Sequence, residues 1–175
     1  MKMFTLLAIL VSITPPCLNS QCRILFEDLE IDGLDERHAM IVGAVYEVKG
    51  SAQNRANVTF LWKKELPEGT KIRVKATRWA KNDYKFLIFN IERPMRSFLE
   101  MNAFGIYELC HEQVRPPAVW PLKTNTLYRL TGFYMDGSKI PPNLPDGKWR
   151  VTQSISLPNR SIIANMTWKV RMDYV

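Results

Sequence analysis

What this chain of 175 residues lacks narrows it more than any motif it carries. Beyond Ile13 no apolar run approaches the roughly 20 residues that a transmembrane helix needs, so no later segment reads as a membrane span. Histidine is scarce: only His38 and His111 are available to join cysteines, no pair has zinc spacing, and no metal site is expected. There is no Gly-x-Ser-x-Gly elbow, no His-Glu-x-x-His pair and no phosphate-cradling glycine loop, so no catalytic residues and no cofactor are implied. No repeat or low-complexity tract divides the chain, which has the length of one domain.

What is present begins with Lys2 and the apolar run Met3 to Ile13, stopped by Thr14-Pro15-Pro16. This is the pattern of a secretory signal peptide over residues 1–20, with cleavage after the small Ser20 and a single secreted domain at 21–175; an uncleaved anchor is the alternative. Loss of Cys17 with the leader leaves Cys22 and Cys110 in a compartment where disulfides persist. One bridge between them is the simplest account, and free thiols or pairing between chains stay open because spacing does not show proximity. The sequons Asn57-Val58-Thr59, Asn159-Arg160-Ser161 and Asn165-Met166-Thr167 agree with export. Lys and Arg number 24 against 17 Asp and Glu, so without Lys2 the formal charge is about +6. Such a balance suits an anionic surface or ligand, and an extracellular location makes nucleic acid an improbable partner.

The remaining text is written mostly in period two. Strands are expected over Cys22–Ile31, Met40–Val48, Asn57–Lys64, Lys71–Thr77, Tyr84–Ile91, Leu127–Met135, Trp149–Leu157 and Ser161–Val170. Met40 to Val48 is apolar on both faces and reads as central. In the last strand Ile162, Ala164, Met166, Trp168 and Val170 form the buried face, with Ile163, Asn165, Thr167 and Lys169 wet. Leu66-Pro67-Glu68-Gly69 is a turn in which glycine supplies a positive φ. Pro94 followed by Met95, Phe98 and Leu99 marks one short helix, which either packs on a sheet or covers a cavity. Gly105 ends it, and Ile106 to Cys110 either extends it or is loop. The sum is an all-β, antiparallel sandwich of seven or eight strands with one short helix.

Four groups of residues invite a chemical reading. Cys110-His111-Glu112 has the types of a thiol catalyst, but neighbours in sequence seldom converge in space. Glu27, Asp28 and Glu30 crowd one strand, and a wet face accounts for them without acid–base work. His38 sits among Asp35, Glu36 and Arg37 in a solvated loop. Lys71, Arg73 and Lys75 with Arg78 form a basic stripe, which is either the charged face of an edge strand that resists aggregation or a rim for an anionic headgroup or partner. The five tryptophans, with many Phe, Tyr and Met, supply large groups for a core or for the wall of an apolar pocket.

Several features occur together in one order: the leader, the Asn57 strand, Leu66-Pro67-Glu68-Gly69, Tyr84-Lys85-Phe86-Leu87-Ile88-Phe89-Asn90 running into a helix, Trp120-Pro121, and Leu144-Pro145-Asp146-Gly147-Lys148-Trp149. In this order the mature chain resembles a large arthropod family of small secreted proteins, long labelled a domain of unknown function, that includes the chemosensory B proteins. That family looks related to the ganglioside activator and the ML lipid-recognition domains. The resemblance implies an immunoglobulin-like β-cup that takes a lipid between its sheets and, in the chemosensory branch, a role in pheromone or taste reception. Family members typically have cysteines where this chain has Trp120 and the Pro94-Met95 region; both are absent here together, as a lost pair would be.

The expected function is therefore non-enzymatic binding and presentation of a lipid or other apolar ligand outside the cell, with a membrane receptor or channel as a further partner. Val58, Phe60, Trp62, Ile72, Val74, Phe86, Ile88, Met166 and Trp168 are the expected wall, and Phe98 and Leu99 its cover. The alternative is an extracellular protein-binding module with a filled core; a secreted hydrolase comes third. A void of a few hundred Å³ between the sheets separates the first two readings.

Overall fold

The computed structural model describes residues 22–141 and 144–174; the leader expected at 1–20, with Cys17, lies outside the described residues. The described residues form eight strands: β1 (Cys22–Asp32), β2 (Ala39–Tyr46), β3 (Arg55–Trp62), β4 (Lys71–Ala80), β5 (Asp83–Pro94), β6 (Leu127–Phe133), β7 (Gly147–Ser156) and β8 (Ile162–Tyr174). They pair antiparallel in two sheets, one ordered β1-β8-β7-β4-β5 and the other β2-β3-β6. The all-β sandwich read from the alternation is the observed fold.

Opposed residues in an antiparallel pair share a face, so the register decides which side chains meet the other sheet. On the five-stranded sheet Ile72 of β4 faces Ile155 of β7, which faces Ala164 of β8. One step further along, Val74, Gln153 and Met166 stand in a row. Register shifts interrupt this alternation along β1, β5 and β8. In β1 the extra residue is Glu27, which moves the buried set from Ile24 and Phe26 to Leu29. In β8 it is Ile163, which is buried while Ile162 is 51% exposed; the expected faces are exchanged at that end of the strand. In β5 the register slips around Ile88, so Phe89 and Ile91 face inward opposite Ala76 and Val74.

Two placements differ from the expectation. β2 is an edge strand of the smaller sheet, not a central one; its apolar outer residues Val42 and Tyr46 stay exposed. β4 lies between β7 and β5, so the basic stripe is on an interior strand and the edge is β5. The β4–β5 hairpin turns at Lys81-Asn82, both at positive φ (49° and 65°), as a two-residue turn of type I′ requires. Gly69 has φ 85° in the turn assigned to it.

Helix α1 (Met95–Leu99) begins after Pro94 and buries Met95, Phe98 and Leu99. The Met95 amide donates to the Thr70 carbonyl at 2.8 Å, which ties the helix to the start of β4. Gly105, at φ 70°, opens a second helical stretch, α2 (Ile106–Glu108), which runs on as a π-helical turn through Gln113. The sandwich closes differently along its two sides. At one side β1 packs against β2: a Cβ added at Gly43 would stand 2.6 Å from Leu29 Cδ2 and 3.1 Å from the Asn57 carbonyl. At the other side α1 packs on β4 and β5, and the π-helical turn packs on β6. Between the sheets Phe26 lies 5.3 Å from Phe133 and 5.2 Å from Trp168, ring centre to ring centre, so one aromatic cluster joins both layers.

Gly43→Val tests the close side of the sandwich. Extra methyl groups with no room cost about 1–3 kcal/mol. Urea unfolding should show a loss of stability in that range, and an unchanged midpoint would mean that the two edges do not pack this tightly.

A candidate apolar binding cavity

The sheets enclose a cavity of about 250 Å³. Its wall is built from both layers. Val58, Phe60 and Trp62 line it from β3, Ile72 and Val74 from β4, and Met166 and Trp168 from β8. Phe98 and Leu99 line it from α1, which packs on β4 and β5. Phe60 is stacked on its cross-strand partner Tyr128 at 5.0 Å and meets Trp62 edge-on, which holds that wall rigid.

Phe86 and Ile88 are not brought to the cavity. Phe89 and Ile91, opposite Ala76 and Val74, line the wall from β5 instead; Ile88 is the extra residue at the register slip, and Phe86, opposite Arg78 nearer the hairpin end, is 56% exposed. The alternation from Tyr84 to Ile91 contains both parities of large apolar residue, so only pairing with Ala76 and Val74 decides between them. Phe26, Trp149 and Val151 also line the cavity and were absent from the sequence-based wall. Extending the inward rows from Met166 and Trp168 across β7 would have found Gln153 and Val151.

Phe104 and Ile140, both half-buried, line the cavity and also a shallow outer concavity, which places them where the interior meets solvent. Phe104 holds φ 56°, a strained value for a bulky residue, and its ring stacks on Phe89 at 5.7 Å. Beside it Lys139 Nζ donates to Glu108 Oε1 at 3.0 Å, and this bond is the main reason that the Glu108 carboxyl titrates below its usual range.

The charged groups lie elsewhere. Lys71, Arg73 and Lys75 alternate with Ile72 and Val74, so they occupy the outer face of the five-stranded sheet and do not rim the cavity. Lys71 Nζ is 3.0 Å from Glu92 Oε1, and Arg73 pairs with the same carboxylate from the neighbouring strand. Both hydrogen bonds depress the Glu92 pKa. Arg78, at the end of β4, donates from Nε to the Asp146 carbonyl at 2.8 Å. The acidic cluster of β1 has a similar explanation, since Asp28 and Glu30 both pair with Lys169 of β8. His38 Nδ1 lies 2.9 Å from Asp35 Oδ2, and Arg37 holds the Asp35 carboxyl well below the ordinary range.

The bridge expected between Cys22 and Cys110 is not formed; both are free. Cys22 begins β1, paired with Tyr174 at the sheet edge, whereas Cys110 sits on the π-helical turn and lines the cavity. His111 stacks on Tyr107 at 4.1 Å instead of serving the thiol. Of the three sequon asparagines, Asn57 and Asn159 are exposed. Asn57 Oδ1 accepts the Gly132 amide at 2.8 Å, and Asn159 Oδ1 accepts the amide and hydroxyl of Ser161. Asn165 is half-buried, its Nδ2 lies against Gly33, and Thr167 of the same sequon is buried beside Thr152.

Burial pushes the Cys110 thiol up to about 11 from its ordinary 9.0. Burial favours the neutral form, so this group's contribution to stability is whole below its ordinary value and is lost as pH rises through about 11. Only the thiolate reacts. Alkylation of Cys110 by iodoacetamide should be slow at pH 8 and quicken about tenfold per pH unit up to its pKa, followed by peptide mass spectrometry; a rate already on a plateau at pH 9 would contradict the buried position.

No family model matches the chain, and no curated protein matches it. Among solved structures it is similar to a Niemann-Pick type C2 protein from the Japanese carpenter ant. That alignment covers 87% of this chain and 93% of that one, at 12% identity and a TM-score of 0.30.

Proposed function

We propose that the protein is a secreted, non-enzymatic carrier or presenter of a lipid or other apolar ligand, held between its two sheets. One observation carries the reading: the interior is a cavity of about 250 Å³, and its wall is apolar but for Gln153, three indole N–H groups and the Cys110 thiol. A filled core would have favoured the protein-binding module. The volume falls slightly below the roughly 300–1,000 Å³ of sites for drug-sized molecules, so the ligand is small or slender. Its affinity would come from apolar burial, at roughly 25 cal/mol per Å² removed from water.

Export rests on the leader pattern of residues 1–20 and on the exposed sequons at Asn57 and Asn159. The 21–175 segment then acts as one domain, its two sheets sharing one hydrophobic core. The likeness to the chemosensory B family adds a finer reading, in which the loaded cup presents a pheromone or tastant to a membrane receptor or channel. Among the described residues no helix is long and apolar enough to cross a membrane.

Delipidated protein should bind the dye N-phenyl-1-naphthylamine at micromolar concentration, with the blue shift and enhancement of an apolar site. Val74→Trp places an indole in the cavity and should weaken dye binding at least tenfold while the β-sheet circular dichroism is kept. Failure of the wild type to take up dye, together with the absence of any co-purified lipid in native mass spectra, would remove the carrier reading.

A further inference from the structure

Among the described residues Gln153 is the one residue of the cavity wall with an amide side chain, and it stands on β7, the central strand of the five-stranded sheet. Val74 and Met166 flank it across both strand pairs, and both line the cavity. Its orientation is set by a neighbour. Trp168 Nε1 donates to Gln153 Oε1 at 3.3 Å. An indole N–H can only donate, so it selects the amide oxygen and turns the NH₂ group away from itself. Among the described residues Gln153 Nε2 has no hydrogen-bond partner, yet it is not among the buried polar atoms shut off from contact.

The other polar groups of the wall do not compete for this role. Trp149 Nε1 is bound to the Pro145 carbonyl at 3.0 Å. Trp62 Nε1 is sealed by its surroundings. Among the described residues no lysine, arginine or histidine side chain lines the cavity, so a carboxylate placed at Gln153 would lie in an apolar enclosure without a counter-charge, which is costly. A pure hydrocarbon would leave the two N–H groups of Nε2 unmatched.

We propose that Gln153 is the specificity-determining residue of the cavity: its Nε2 donates to an uncharged acceptor oxygen set within an apolar chain or ring system. Ketones, esters and internal alcohols are thereby selected over hydrocarbons and carboxylates. This rests on the carrier reading and adds to it the chemical class of ligand. Trp168 is the positioning residue that holds the amide in the donating orientation.

The test uses displacement of N-phenyl-1-naphthylamine from the 21–175 chain by three twelve-carbon ligands: dodecan-6-one, dodecane and dodecanoate. The wild type should bind the ketone about tenfold more tightly than dodecane, which corresponds to about 1.4 kcal/mol, and should bind dodecanoate more weakly than the ketone. Gln153→Leu should bring the ketone-to-dodecane ratio near one and leave dodecane affinity within about threefold, as expected when one neutral hydrogen bond is removed. Trp168→Phe keeps an aromatic wall but frees the amide, and should lower the ratio part of the way; it decides the matter if the leucine variant does not fold. A ratio near one in the wild type, a ratio unchanged in either variant, or tightest binding of dodecanoate overturns the assignment of Gln153. If dye and dodecane still bind, the carrier reading survives that result; if neither dye nor any ligand binds, both fall.

Discussion

Every inward side chain in this protein has to satisfy one constraint: residues opposed across an antiparallel ladder share a face, and a single inserted residue exchanges the faces beyond it. The bulge at Glu27 lets β1 contribute Phe26 and Leu29 to the same interior although they have opposite parity. In β5 Ile91 and Phe89 stand opposite Val74 and Ala76, Ile88 is the extra residue, and Phe86 lies beyond it, exposed. The extra Ile163 buries one isoleucine and exposes its neighbour. Without the bulge at Glu27, unbroken pairing would set the charged Asp28 opposite Trp168, in the place that Leu29 holds beside the aromatic cluster.

The cavity follows from unequal sheets. Five strands face three, so at about 4.8 Å per strand a strip of the larger sheet roughly 10 Å wide has no strand opposite it. β1 packs closely on β2 at one side, and at the other α1 packs on β4 and β5. Helix α1 and the turn that follows α2 span this strip, joined to β6 through the Arg115–Arg129 pairing and to the interior through Cys110. A short helix cannot follow a sheet as closely as another sheet would, and the space left over is lined by flexible Met95 and Met101 with Phe98 and Phe104.

Polarity is divided between the two faces of the larger sheet. The outer face carries cross-strand ion pairs, Lys71 and Arg73 with Glu92 and Lys169 with Asp28 and Glu30. Each of these exposed pairs adds little stability, but the charges discourage pairing with other chains along the sheet. The inner face keeps one amide, oriented by one indole. A single donor in an apolar enclosure discriminates among ligands more than it strengthens binding, because its desolvation is compensated only by a matching acceptor.

Much of this was legible in the chain. Period two in β3, β4 and β8 determined the strand content, the inward placement of Val58, Trp62, Ile72, Val74, Met166 and Trp168, and the outward placement of Lys71 and Arg73, because alternation along a regular strand depends only on neighbouring residues. Pro94 with Met95, Phe98 and Leu99 determined α1 in the same local way. Tertiary structure alone decided what depends on partners: that β2 is an edge and β4 is not, that Cys22 and Cys110 stay apart, and that Phe89 replaces Phe86. It also decided that Gln153 points into an apolar space, since nothing beside it in the chain records the row Val74–Gln153–Met166.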